Sequence, residues 1–398
     1  MGSALKPFCQ KRCSLVIHAF IALLGFPLLA SAGALDQWTY RTNIFPAAGY
    51  FQSVSYGAGR FVASARLHPQ MCLYSSENGV TWTQRFTMPA FPLSASVNFL
   101  HDRFVAVDGS GKCATSSNGL DWVNITATNL AIDTVTGLAY GNGTWVVSGL
   151  YGNIWSTTNF QNWTEWKATQ SIAFRAITFG NGKFIAVGTS FSPSNSVFLS
   201  TNGVDWSAYP GPASYAVGFG QGKFVAFSLN SSALTSSDGM IWHSHPLGFT
   251  QIEKTHVSYA NGTFIAVGSS NQSQQAILLS ADGTNWTLKL IGPRVGNVYL
   301  YDAAYGAGSF VVVGAGQSPV AQSGNVAIPQ LNRLQPGPAG SDTLDMDGEV
   351  GRAYRLEGST NLLDWEAVMA YTNDTPRTRV TTPPTNAVPA RFYRAVIP

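Results

Sequence analysis

Two phrases recur along most of the chain at an interval of about forty residues, and no other feature restricts its fold as strongly. The first appears as "SVSYGAGRFVASA", "GLAYGNGTWVVSG" or "AITFGNGKFIAVG", with a shared aromatic at Tyr56, Phe99, Tyr140, Phe179, Phe219, Tyr259 and Tyr305, seven copies spaced 39 to 46 residues apart. The second appears as "SSENGVTW", "STNGVDW" or "SADGTNW" and ends on Trp82, Trp122, Trp163, Trp206, Trp242 and Trp286. One copy, "STTNFQNW", keeps the Trp but has Phe160 where the others have Gly.

The first phrase alternates small and apolar residues, turns through a Gly-Asn-Gly type of sequence and continues as a run such as "FIAVG". That is a tight hairpin of two buried strands. The second phrase joins a third strand to a fourth that starts at the Trp. In it Gly supplies a positive φ, Asn or Asp and Ser or Thr bond the backbone of the turn, and Trp offers a large apolar face to the neighbouring repeat. Four strands in each repeat of about forty residues is the period of a propeller blade. The expected fold is all-β, a seven-bladed β-propeller. The last repeat lacks its Trp strand, and "LDQWTYR" near the N-terminus has Trp38 without a hairpin of its own. The N-terminal strand is therefore expected to complete the last blade and remove a free edge.

"SSENGVTW" resembles the Asp-box of the BNR and sialidase-like propellers, whose pattern is Ser-x-Asp-x-Gly-x-Thr-Trp; most other copies depart from it by a residue in length or type. Similar repeats occur in photosystem II assembly-factor-like proteins and in exported bacterial proteins. The resemblance spans roughly residues 36 to 325 and implies a fold. In that family the box is structural and lies on the face away from the active site.

Ahead of the repeats, Lys6, Lys11 and Arg12 precede the apolar run "SLVIHAFIALLGFPLLA", and "ASA" ends at Ala32, which reads as a cleaved signal peptide over residues 1–32. The mature protein is expected to be secreted or periplasmic, without a membrane span, and monomeric. Cleavage removes three of the 23 basic residues and none of the 20 acidic ones, so 20 face 20 and the net charge falls to zero. That balance, with no basic run, excludes nucleic acid as a natural partner. Only 11% of residues are charged, well below the usual ~25%, as in turn-rich extracellular β proteins.

Cys72 and Cys113 remain after cleavage, at similar places in successive repeats. Two readings stand for them: a disulfide formed in an oxidising compartment, or two buried thiols. With residues 33–327 assigned to the propeller, residues 328–398 form a small C-terminal β module, sandwich-like, behind the Pro/Gly-rich linker "IPQLNRLQPGPAGSD". "YRLEGSTNLLDW" with the terminal "RFYRAVIP" resembles modules that end many secreted bacterial proteins, which implies an accessory or surface role. In "DTLDMDGE", Asp342, Asp345, Asp347 and Glu349 miss the spacing of a calcium loop and read as a hairpin turn.

Complete catalytic constellations are scarce. The early Arg-Ile-Pro signature of sialidases is absent, and the propeller arginines are only Arg41, Arg60, Arg66, Arg85, Arg103, Arg175 and Arg294. The carboxylates outside turns and boxes are Asp108, Asp133, Glu165, Glu253 and Asp302. His243 and His245 share a strand face but have no third ligand in sequence, so they read as surface residues, and no metal or cofactor is expected.

The first strand of each blade should line a central channel. Three residues before the shared aromatic stand Ser53, Ser96, Gly137, Ala176, Ala216, His256 and Asp302, and one residue earlier Gln52, Ala95, Thr136, Arg175, Tyr215, Thr255 and Tyr301. His256, Asp302 and Arg175 are expected to converge near the channel mouth beside Tyr215 and Tyr301. There they bind a ligand, or else a His–Asp contact merely plugs the channel. The loops on the face opposite the boxes, such as "FTMPAFPLSAS" and "YPGPASY", are rich in aromatic, amide and hydroxyl groups that suit a glycan or a protein partner. The function read from the sequence is a non-catalytic binding or scaffold protein; the alternative is a carbohydrate-active hydrolase or lyase that uses Asp302, His256 and Arg175.

Overall fold

The computed structural model describes residues 35–396 apart from 36, 42–48, 89–93, 126, 128, 133, 170, 191–195, 212, 229–231, 250–251, 271–273, 292–298, 317–319, 325–329, 337–340, 348–352, 361–363, 373–376 and 383–391. The segment read as a signal peptide, Asp36, Asp133, Arg294, Glu349 and parts of the aromatic-rich loops lie outside the described residues.

Six four-stranded antiparallel sheets follow one another over residues 50–87, 95–125, 135–167, 172–209, 214–246 and 252–291, each with its strands in chain order. A seventh is built from Tyr299–Gly306, Ser309–Ala315 and Val320–Ser323, and its fourth strand is Trp38–Arg41. Trp38 stands opposite Ser323 and Arg41 opposite Val320, so the start of the described chain closes the last sheet. The architecture is all-β and propeller-like. The first strand of each sheet packs beside that of the next, and Tyr299–Gly306 returns to Tyr50–Gly57.

Each element follows from its repeated phrase. The first hairpins turn on two residues that both have positive φ, as at Asn142 (47°) and Gly143 (79°), the conformation whose twist matches paired strands. In the second phrase the Ser76 hydroxyl accepts from the Gly79 amide at 2.9 Å, Asn78 Oδ1 accepts from the amides of Val80 and Thr81, and Trp82 Nε1 donates to the Gly79 carbonyl at 3.1 Å. The same pattern recurs at Trp163, Trp206, Trp242 and Trp286. Trp38 Nε1 makes the matching bond to the Leu35 carbonyl, also three residues back, at 3.0 Å. Phe160 takes φ 62° in the glycine position, and its ring lies 4.8 Å from that of Trp145.

Two copies of this turn hold Asp where four hold Asn or its equivalent, which sets a pH dependence. Amide bonds from Ile241 and Met240 hold the Asp238 carboxyl below its usual range. At Asp282 burial pulls upward but is outweighed by bonds from Asn285 and Thr284, and the carboxyl again falls below that range. A depressed carboxyl stabilises the fold above its unfolded pKa of ~3.9 and loses that contribution as pH falls through the folded value. The double variant Asp238→Asn, Asp282→Asn keeps the Oδ1 acceptors of the turn amides and loses only the Asp282 Oδ2 acceptor of Asn285, so urea midpoints between pH 2 and 7 are expected to fall less steeply below pH ~4 than in the native chain. Parallel acid limbs would refute this account.

Between successive sheets lie apolar layers, and every repeat Trp enters the layer shared with the preceding sheet. Trp122 meets Phe86 of the first sheet, Trp206 meets Trp166 of the third, and Trp286 meets Phe227 of the fifth. Trp38 does the same between the sixth and seventh sheets, among Ile265, Ile277, Leu300 and Val312. Nearer the axis, five of the seven shared aromatics lie on a glycine of the sheet before them, and Tyr305 packs with Ala260 instead. A Cβ on Gly57 would stand 2.0 Å from the Phe99 ring, and one on Gly306 2.0 Å from the Tyr56 ring, which sets the last sheet against the first. The second and third sheets use Leu100 and His101 at this contact, with the His101 ring stacked 4.7 Å from Tyr140.

The two cysteines resolve to buried, free thiols. The disulfide reading is thereby corrected, because Cys72 packs between the seventh and first sheets and Cys113 between the second and third. Burial, with the nearby Asp108 charge adding to it, pushes the Cys113 thiol up to about 12.

Two three-stranded sheets follow. One pairs Gln330–Pro336, Asp342–Asp347 and Arg377–Thr381; the other pairs Glu366–Thr372, Ala353–Ser359 and Phe392–Val396. Gln330–Pro336 corrects the linker reading, since half of that segment is a paired strand. Asp342–Asp347 of the acidic stretch is a paired strand, in which Asp342 accepts from Tyr393 at 2.9 Å and Asp345 pairs with Arg379 at 3.2 Å, while the turn expected at its Asp-Gly end lies outside the described residues. Tyr371 reaches Met346 across the two sheets, and Glu357 lies between Arg355 and Arg394 at 2.7 Å from each.

Candidate functional site

The seven first strands surround a cavity of about 640 Å³. The rings of Tyr140, Phe179, Phe219 and Tyr259 line it toward the hairpin-turn end, and Tyr50, Arg175 and Tyr301 line the other end. Because third strands run parallel to first strands, the Trp-box turns share the hairpin-turn face, and Lys183 Nζ confirms it by donating to the Asp238 carbonyl at 3.3 Å. The Arg175 end is therefore the mouth opposite the boxes.

Ser53 and its neighbour Gln52 both line this cavity, although side chains alternate along a regular strand. A β-bulge reconciles them. The pairing register shifts at Gln52, Thr136, Arg175, Thr255 and Tyr301, and in the fifth sheet across Tyr215 and Ala216. A bulged residue leaves the ladder and its side chain is re-aimed. Here the bulged residue of five of these strands, Gln52, Thr136, Arg175, Thr255 and Tyr301, lines the cavity, while Tyr215 and Ala216 of the fifth sheet do not, and Ala95 in the second sheet stays in register.

Four first-strand amides of the first two sheets are capped by a side chain of the adjacent sheet. Ser53 Oγ accepts from the Val97 amide at 2.7 Å, Ser55 Oγ from Phe99 at 2.8 Å, and Gln52 Oε1 from Ala95 at 2.9 Å. Asp302 Oδ2 accepts from the Val54 amide at 2.9 Å, which joins the seventh sheet to the first.

The candidate residues gather as the columns indicate, but in separate groups. Asp302 is buried, and its Oδ1 accepts from its neighbour's amide, Ala303, at 2.7 Å. His256 Nε2 lies 3.1 Å from the same oxygen, an ion-pair distance, but its approach is outside hydrogen-bond geometry. Burial pushes the Asp302 carboxyl above its usual range, against the opposing pull of His256 and the two amides. The carboxylate is thus committed to the wall, and His256, with a third of its side chain exposed, is what the pair presents to the cavity.

Arg175 forms the second group. Its guanidinium lies 5.0 Å above the Tyr215 ring centre, and its Nε is shielded from solvent without a hydrogen-bond partner. Among the described residues no carboxylate pairs with it. Tyr215 supports Arg175 from beneath and is not part of the cavity lining.

Tyr301 anchors the third group, with Tyr50 at 5.9 Å and Tyr299 at 6.3 Å, the latter ring nearly parallel at 6°. Burial, and then Tyr50, Tyr299 and Glu253, push the Tyr301 hydroxyl upward. Tyr50 and Tyr299 escaped the sequence columns; counting back by two residues from Gln52 and Tyr301 reaches both.

The other candidates fall elsewhere. Asp108 is buried and caps its own turn through Ser110 and Lys112, Glu165 lies on the fourth strand of the third sheet, and His245 Nε2 is 2.9 Å from Thr235 Oγ1.

No family model and no curated protein matches the sequence. Solved structures do. A streptogramin B lyase superposes with a TM-score of 0.58 at 11% identity, over 72% of this chain and 96% of its own. The virginiamycin B lyase of Staphylococcus aureus gives 0.59 at 9%, over 73% and 100%. YCF48 bound to a D1 peptide gives 0.54 at 15%, over 74% and 99%. At such identities the likeness carries the fold, that of a β-propeller, and nothing more. Among the described residues no helix is long and apolar enough to cross a membrane.

Proposed function

We propose that this chain is an exported, non-catalytic binding protein, a seven-bladed propeller of the Asp-box type that takes a glycan at the channel mouth opposite its boxes. The observation behind this reading is the make-up of the cavity. Its one lining carboxylate among the described residues, Asp302, is engaged by two backbone amides, while tyrosines, Arg175 and hydroxyl or amide side chains line the mouth. Glycosidic hydrolysis ordinarily needs two carboxylates flanking one bond. Rings with polar groups beside them suit the apolar faces and hydroxyls of sugars. The C-terminal sheets form an accessory module in this reading.

One observation favours a lyase instead: His256 stands beside Asp302 in the cavity, and two neighbours in fold are lyases. Incubation with a panel of polysaccharides separates the readings. Retention without new reducing or unsaturated ends is the expected result. Released ends that disappear in His256→Ala would establish the enzyme. Retention of a peptide in place of any glycan would move the reading toward the kind of ligand that YCF48 carries.

A further inference from the structure

We infer that the mouth recognises a carboxylate, and that its ligand is an acidic glycan built from uronic acids, with Arg175 as the clamp. The inference rests on the glycan-binding reading above and deepens it. Four observations carry it. A bulge re-aims Arg175 to the mouth, where the ladder gives its side chain no structural task. The ring of Tyr215 lies beneath the guanidinium, 5.0 Å from its central carbon, and supports it there. Among the described residues no carboxylate neutralises its guanidinium, which leaves that charge for a planar anionic ligand at the mouth. The cavity's own carboxylate is held by Val54 and Ala303 and by the nearness of His256.

A peptide carboxylate would satisfy the same fork, but other features point to a sugar. Peptides commonly add to unpaired strand edges. Here four amides of the first strands of the first two sheets, Val54, Ala95, Val97 and Phe99, are already capped by Asp302, Gln52, Ser53 and Ser55. What remains for a ligand is the tyrosine cluster around Tyr301 and the re-aimed side chains of the bulges.

The test is calorimetric titration of the purified chain with oligomers of galacturonate, of mannuronate and of glucuronate. Each is compared with the same oligomer after its carboxyls have been reduced to alcohols. A peptide with a free C-terminus and its amidated form complete the panel. At least one uronate is expected to bind, with its reduced form about tenfold or more weaker. Arg175→Gln is expected to weaken the uronate by about 10- to 100-fold and to leave the reduced oligomer unchanged, with Arg175→Lys between them. Equal affinity for a uronate and its reduced form would overturn the clamp and leave the glycan reading intact. Binding of the free peptide alone would overturn the acidic glycan, and no binding at all would overturn the mouth as a site. The comparison of native and reduced oligomers needs no variant, so it decides the matter even if Arg175→Gln fails to fold.

Discussion

A chain that begins after Arg41 is expected to lose about 4 kcal/mol or more of stability and to self-associate, a change visible in urea midpoints and in light scattering. Removing Trp38–Arg41 strips the pairing from Val320–Ser323. It also takes Trp38 out of the layer between the sixth and seventh sheets, and burial of a Trp side chain is worth roughly 3–5 kcal/mol. The bond from Arg41 Nη2 to Gln322 Oε1 at 3.0 Å goes as well, and with it the positioning of Gln322, whose Nε2 donates to the Asn78 carbonyl of the first sheet at 2.8 Å. The exposed edge of Val320–Ser323 then offers unpaired backbone to another chain. The milder Trp38→Ala should cost about 3 kcal/mol with the chain still monomeric. A truncated chain as stable and as monodisperse as the native one would show that the seventh sheet stands without its N-terminal strand.

Replacing Asp302 by Ala is expected to lower stability by about 2–4 kcal/mol, read as a shift of the urea midpoint at unchanged slope. Two buried amides, Val54 and Ala303, lose their acceptor, and the first of them joins the last sheet to the first. The range is set below the full cost of two orphaned donors, because burial already opposes ionisation of this carboxyl. Asp302→Asn keeps an acceptor oxygen and should lose less than half as much. An unchanged midpoint in Asp302→Ala would mean that the carboxylate is dispensable for the ring, and the case for His256 and Asp302 as reacting groups would gain what the structural account lost.

These two variants probe parts of the fold that differ in how readily the sequence reveals them. The Trp38 strand was legible because one Trp lacked a hairpin and one hairpin lacked a Trp, and pairing the two orphans requires only counting. The turns were legible too, since positive φ and side-chain acceptors each demand a residue type. Asp302 shows the limit. Its column marked it as channel-lining, but nothing local says that it caps an amide some 250 residues earlier, at Val54. Bulges are less legible still: Gln52, Thr136, Arg175, Thr255 and Tyr301 share no chemistry, because a bulge is a property of register and tolerates any side chain. Cys72 and Cys113 misled for a related reason. Cys72 stands ten residues before its Trp and Cys113 nine, and that offset of one puts them on opposite faces of their strands, Cys72 toward the gap before its sheet and Cys113 toward the gap after it.

The capped edges of the channel have a consequence for how such a ring acquires partners. Where amides are answered by a neighbouring side chain, a guest cannot read the backbone there, and what distinguishes one such ring from another is carried largely by the residues that the bulges release from the ladder. Those positions take no part in strand pairing, and chains with the same frame can diverge at them without disturbing it. The mouth behaves as a keyboard set into a fixed case: Arg175 is one key, Tyr301 another, and Ala95, unbulged and small, is a place where a key was never fitted.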